Sequence, residues 1–132
     1  MSIMKPDPTF DPSVLMGVPI LVVEDAWHVA EAMKRVLEQL GMNVLGPTAT
    51  AKEARFLLMR QRPVAALVDV NLKGEMAWDL IDELCEQGIQ VVVISGYVQP
   101  DAALGRPIVY LQKPFAEAEL MAALHAVIGK SR

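Results

Sequence analysis

The sequence predicts a doubly wound α/β domain, with a parallel sheet of five strands covered by helices on both faces. Three observations carry that expectation. Short continuous apolar runs, rich in Val, Ile and Leu, recur five times along the chain, as strands buried on both faces require. Segments with apolar residues at helical spacing lie between most of them. Glycine and proline punctuate the changes of pattern.

Residues 1–16 read as a flexible or loosely docked tail, because Pro6, Pro8 and Pro12 follow no period; Phe10 and Val14 are the residues able to pin part of it down. The domain then occupies residues 17–132. Its first strand is Ile20-Leu21-Val22-Val23. Val29, Met33, Val36, Leu37 and Leu40 follow at helical spacing, and Gly41 stops that helix. A second strand spans Met42 to Leu45 and is closed by Gly46-Pro47. Thr50-Ala51-Lys52-Glu53 forms a capping box, in which hydroxyl and carboxylate each satisfy a free N–H at a helix start; Ala54, Leu57 and Leu58 are that helix's apolar face. The third strand, Val64 to Val68, ends at Asp69. A helix from about Met76 to Glu86 turns Leu80, Ile81 and Leu84 inward, with Gly88 just past its end. The fourth strand runs from Gln90 to Ile94 and the fifth from Pro107 to Leu111. Between them, Tyr97 to Arg106 is a weak helix candidate holding Pro100 and Gly105, so the fourth helix is expected to be short or irregular. Ala116 to Ile128 is the closing helix, with Leu120, Leu124 and Val127 on one face and Gly129 at its end.

At 132 residues there is room for one domain only, and no output domain is expected beyond Ile128. Hydrophobic residues make up 53% of the chain but aromatic ones only 5%, so the core must be aliphatic, with the methionines as filler. The net charge of −4 and the lack of any Lys/Arg run argue against nucleic acid as a partner. A lone cysteine, Cys85, suits a reducing cytoplasm and reads as packing at a helix end. No apolar run is long enough to span a bilayer, and the N-terminus lacks the form of a secretory signal.

Right-handed crossovers and short connections leave few strand orders for such a sheet, the flavodoxin-like 2-1-3-4-5 among them. In these sheets, function gathers at the carboxyl ends of the strands. Strand one ends in Glu24-Asp25, strand three in Asp69 and strand four in Ser95-Gly96, while strand five leads into Lys113-Pro114. Each piece alone has a plain structural reading: a helix cap, a turn former, a turn, a loop. All four, in this order, point to one crevice. Three crowded carboxylates repel unless a cation neutralises them, and oxygen ligands of this kind suit a hard ion, Mg²⁺ or Mn²⁺. A carboxylate beside such an ion, a hydroxyl and an ammonium group is arranged to receive a phosphoryl group, with the protein supplying position and charge.

The motifs Val22-Val23-Glu24-Asp25, Leu67-Val68-Asp69-Val70-Asn71-Leu72, Ile94-Ser95-Gly96 and Gln112-Lys113-Pro114-Phe115 resemble those of response-regulator receiver domains over Pro19 to about Lys130. The resemblance implies that Asp69 is the phosphoacceptor and Glu24 and Asp25 the acidic pair. It implies that Asp25 and Asp69 hold the metal by their side chains, and Asn71 by its backbone carbonyl. Ser95 would supply the hydroxyl that bonds the phosphoryl oxygen, Lys113 the lysine, and the Lys113-Pro114 bond would be cis. Tyr110 would be the aromatic that turns inward on activation, coupled to Ser95. The partners implied are a sensor histidine kinase or histidine phosphotransfer protein and a downstream protein, met as a monomer or weak homodimer. Leu45-Gly46-Pro47-Thr48-Ala49-Thr50 and Asp69-Val70-Asn71-Leu72-Lys73-Gly74-Glu75 are similar to a single-domain receiver subgroup common in alphaproteobacteria, with an atypical motif ending strand four. Here that motif reads Val93-Ile94-Ser95-Gly96-Tyr97, serine replacing the usual threonine.

Two other chemistries fit less well. A haloacid-dehalogenase-like phosphatase resembles this pattern but carries a second Asp where Asn71 stands. A flavin-mononucleotide module needs a phosphate-binding loop after strand one, where Glu24-Asp25-Ala26-Trp27 is acidic. No enzymatic turnover of a separate substrate is expected. A receiver that binds its partner regardless of phosphorylation is the alternative within the same family. His28 and His125 read as solvated helix residues, Trp78 as packing or partner surface, and Lys73 and Glu75 as loop residues.

Overall fold

The computed structural model describes residues 11–96 and 105–129. After a 3₁₀ turn (Pro12–Leu15), the elements run β1 (Pro19–Val23), α1 (Trp27–Gln39), β2 (Asn43–Thr48), α2 (Ala51–Leu58) and β3 (Ala65–Asp69). They continue as β4 (Asn71–Leu72), β5 (Glu75–Met76), α3 (Trp78–Glu86), β6 (Gln90–Ser95), β7 (Ile108–Gln112) and α4 (Glu117–Ile128). The sheet order is β2-β1-β3-β6-β7, every neighbouring pair parallel, and β4 and β5 form a separate antiparallel hairpin. Counted along the sheet strands alone, this is the flavodoxin-like order 2-1-3-4-5. The expected weak helix lies, except for its last two residues, outside the described residues, as does Phe10.

Alternation along each central strand splits the core in two. Ile20, Val22, Ala65, Leu67, Val92 and Ile94 face α1 and α4, packing with Met33, Leu37, Leu120 and Leu124. Leu21, Val23, Ala66, Val68, Val91 and Val93 face the other way, against Ala54 of α2 and Leu80, Ile81 and Leu84 of α3. Each fully buried Leu or Ile side chain contributes about 1.5–3 kcal/mol. Both faces being apolar, these strands carry continuous runs, not alternating ones.

Two of the glycines expected at helix ends, Gly41 and Gly88, share one device, whereas Gly129 after α4 stays right-handed at φ −58°. Gly41 and Gly88 have φ of 86° and 80°. After α1, the N–H of Gly41 donates to Glu38 O and that of Met42 to Leu37 O; after α3, Gly88 donates to Cys85 O and Ile89 to Leu84 O. Both are Schellman motifs that satisfy the last helical carbonyls.

Apart from strand and helix ends that move by a residue, the structure departs from the sequence reading at several points. β2 runs on through Gly46-Pro47 to Thr48 instead of closing there. Proline is tolerated because β2 is an edge strand, and Gly46 at φ 90° lies where the register shifts against β1. In the capping box, Thr50 Oγ1 accepts the Glu53 N–H at 3.1 Å as expected, but the Glu53 carboxylate takes the N–H of Ala49 (2.9 Å), one residue before the cap. α3 begins at Trp78, because Met76 pairs with Asn71 in the hairpin. Glu75 is therefore a strand residue. Finally, Leu15 within the stretch read as a tail is 1% exposed and belongs to the core beneath α1 and α4.

Candidate functional site

β1 and β3 lie side by side at the centre of the sheet, so the residues following them meet. Glu24 and Asp69 are buried, at 2% and 5% exposure, and Asp25 is half-buried. One carboxylate oxygen from each of Glu24, Asp25 and Asp69 lies within 4.8 Å of the others. β7 brings Lys113 in from the far side of β6. Its ammonium donates to Glu24 Oε1 at 3.0 Å and to Asp69 Oδ2 at 2.9 Å. The sequence-expected acid cluster and lysine are thus brought into one crevice.

Backbone groups hold the carboxylates from behind. The N–H of Ala26 donates to Glu24 Oε2 (3.1 Å), and that of Asn71 to Asp69 Oδ1 (2.9 Å). Glu24 is further tied by its own N–H to Thr48 O (2.9 Å). Burial drives the Glu24 carboxyl above the usual carboxylate range, against the pull of Lys113 and of the Ala26 N–H. Burial also works to lower the Lys113 pKa, but its hydrogen bonds to Asp69 and Glu24 outweigh it, and the ammonium is held above the ordinary lysine value. Ionised, three carboxylates and one ammonium leave two negative charges in excess, in a pocket made of oxygen donors. That donor set fits a hard divalent cation such as Mg²⁺.

Ser95 closes β6 at 1% exposure, one strand over from Asp69, and its carbonyl accepts the Lys113 N–H at 2.7 Å. The Lys113-Pro114 bond is cis. Tyr110, half-buried on β7, pairs with Val93, while Gln112 pairs with Ser95. Two residues apart in register, Tyr110 and Ser95 share one face of the sheet. His28 is exposed, Trp78 packs half-buried against the α2/α3 core, and Cys85 is half-buried beside it with its thiol pKa raised, first by burial.

Three participants escaped the sequence reading. The backbone N–H of Lys73 donates to Asp25 Oδ2 at 3.0 Å. Gly46-Pro47 is a second cis bond, and buried Thr48 after it receives Glu24. Backbone donors leave no trace in residue type; the only signal was the Lys73-Gly74 pair, which suits a tight hairpin turn.

The sequence model described as the response regulator receiver domain matches residues 20–125. Among curated relatives, the transcriptional regulatory protein PdtaR of Mycobacterium tuberculosis is 24% identical over 130 residues, 95% of this chain and 63% of that protein. The response regulator PhyR from Brucella abortus superposes with a TM-score of 0.80 at 23% identity, over 91% of this chain and 51% of PhyR. The receiver domain of a Pseudomonas aeruginosa sensor histidine kinase, solved with a magnesium ion coordinated in its active-site cleft, gives a TM-score of 0.75 at 27% identity, covering 86% and 98%. The chain therefore spans less than two thirds of PdtaR and about half of PhyR.

Proposed function

The chain belongs to the response regulator receiver domain family, and we propose on that premise that it accepts a phosphoryl group on Asp69 from a sensor histidine kinase or histidine phosphotransfer protein. The observation that carries this reading is the convergence on Asp69: Lys113 Nζ at 2.9 Å, with oxygens of Glu24 and Asp25 inside the same 4.8 Å cluster. The site's elements suit in-line transfer. A carboxylate oxygen of Asp69 attacks phosphorus, the P–N bond of a phosphohistidine breaks, and its electron pair stays on the imidazole nitrogen. Lys113 is placed to meet charge on the phosphoryl oxygens, and the Asn71 N–H to hold the carboxylate in one orientation.

Asp25 and Asp69, with the backbone carbonyl of Asn71, would hold Mg²⁺ (or Mn²⁺), with Glu24 completing the acidic pair. When bound, the ion supplies positive charge to the equatorial oxygens. The magnesium-bearing neighbour from P. aeruginosa supports that assignment. The Ser95 hydroxyl would bond a phosphoryl oxygen of the product, and its move would leave room for Tyr110 to turn inward, remodelling the face that a downstream protein reads. Output is through protein contact, as effector or relay, with slow self-hydrolysis as the only turnover, in the cytoplasm, by a monomer or weak homodimer. No helix of the described residues is long and apolar enough to cross a membrane.

Acetyl phosphate with Mg²⁺ tests the reading by intact mass. A phosphate-sized gain is expected in the wild type, absent in Asp69→Asn and absent in EDTA. No gain in the wild type would leave a receiver that binds its partner independently of phosphorylation.

A further inference from the structure

Resting on the phosphoacceptor reading, we infer that the β4–β5 hairpin is a positioning device for Asp25, with Lys73, Gly74 and Asn71 as its positioning residues. Glu24 and Asp69 share the Lys113 ammonium. Asp25 does not. Among the described residues, the donor to its carboxylate is the backbone N–H of Lys73, 48 positions away in sequence, at 3.0 Å to Oδ2.

That N–H is aimed by a tight turn. Leu72 pairs with Glu75, so Lys73 and Gly74 are the two loop residues, at φ 53° and 88°. Positive φ at both central positions is what a type I′ hairpin turn demands. Lys73 is the one residue other than glycine with positive φ among those described. Such a residue carries strain of roughly 1 kcal/mol and persists where its surroundings over-determine it. They do so here. Asn71 Oδ1 accepts the Gly74 N–H at 2.8 Å, locking the turn from its base, and Ala77 N–H to Val70 O (2.7 Å) closes the hairpin behind it. The same Asn71 gives its N–H to Asp69 Oδ1 at 2.9 Å. The hairpin therefore grips Asp69 at its base and Asp25 at its tip, and holds the two carboxylates in a set relation. The Lys73 side chain is exposed, so it is the backbone at position 73, not the lysine, that acts.

Gly74→Ala isolates the turn, because a Cβ there meets nothing within 4 Å and only the φ of 88° is penalised. Asn71→Ala removes the lock and keeps the backbone carbonyl, so the inference can be tested if either variant folds. Isothermal titration with Mg²⁺ should show affinity about 10-fold weaker in both, as loss of a ligand-orienting partner does. Lys73→Gly, which keeps the N–H and relieves the strain, should bind within about twofold of the wild type. In metal-free protein with EDTA, the Lys73 amide should be protected from hydrogen exchange, and Asp25→Ala should remove that protection. Lowered thermal midpoints with unchanged Mg²⁺ affinity and an unprotected Lys73 amide would overturn the inference. Wild type binding Mg²⁺ no better than Asp25→Ala would overturn the phosphoacceptor reading instead, and the metal-free amide measurement would still decide the hairpin's role.

Discussion

Lys113 is the side chain on which the buried charges of the crevice depend. Its partners Glu24 and Asp69 have side chains only 1% and 8% exposed, while the lysine itself is 29% exposed. Removing one partner of such a set leaves the other uncompensated, which costs more than the set contributes when whole. Lys113→Met should therefore lose about 1–3 kcal/mol of unfolding free energy in EDTA. Added Mg²⁺ should recover part of that loss, since the ion takes over neutralisation. Urea unfolding with and without Mg²⁺ checks this; a loss indifferent to Mg²⁺ would place the effect in packing. Legibility at this scale followed chemistry. That Glu24, Asp25, Asp69 and Lys113 meet in one crevice was readable because each is a charged side chain placed at or just past the end of a strand's apolar run. Thr48 was not, since its part in holding Glu24 is played by a carbonyl that every residue owns.

At the scale of elements, Arg106, two residues before β7, ties the start of that strand to α3. Arg106 donates to Asp82 at 2.7 and 3.0 Å, and its guanidinium lies 4.7 Å from the centre of the Trp78 ring. The hydrogen bond from Arg106 holds the Asp82 carboxyl below its ordinary pKa. A depressed folded pKa means that the stabilisation is present above the ordinary aspartate value and is lost as pH falls through the depressed one. The thermal midpoint difference between wild type and Arg106→Ala should thus narrow on acidification. It should not vanish, because the contact with Trp78 does not titrate. A difference constant with pH would assign the effect to contacts that do not titrate, the ring among them. All five strands of the parallel sheet were found by sequence patterning, most cleanly β1, β3 and β6, whose apolar runs are buried on both faces. The β4–β5 hairpin has strands of two residues each, too short to show any period. The extension of β2 was hidden by Gly46-Pro47, which reads as a stop unless the strand is known to lie at an edge.

For the whole molecule, the stretch before β1 matters more than its prolines suggest. Leu15 at 1% and Val18 at 1% exposure complete the core beneath α1 and α4, where Met33, Leu37, Leu124 and Ile128 meet. Leu15→Ala should lower the unfolding free energy by about 2–5 kcal/mol, the cost of a cavity at a fully buried leucine. The transition should remain single with an unchanged denaturant slope, because the residue belongs to the common core. A change below about 0.5 kcal/mol would show that this turn is only loosely attached. The parallel fold itself was legible, since buried runs on both sheet faces admit few arrangements. This contribution was not, because one leucine among scattered prolines carries no periodic signal.

Trapping the acyl phosphate shows which residue receives the phosphoryl group. After incubation with acetyl phosphate and Mg²⁺, borohydride reduces an aspartyl phosphate to homoserine, and peptide mass spectrometry locates it. Homoserine at position 69, dependent on Mg²⁺ and absent in Asp69→Asn, is the predicted result. Homoserine at position 25 or at no position, or homoserine at 69 formed equally well in EDTA, would rule out metal-assisted phosphorylation of Asp69.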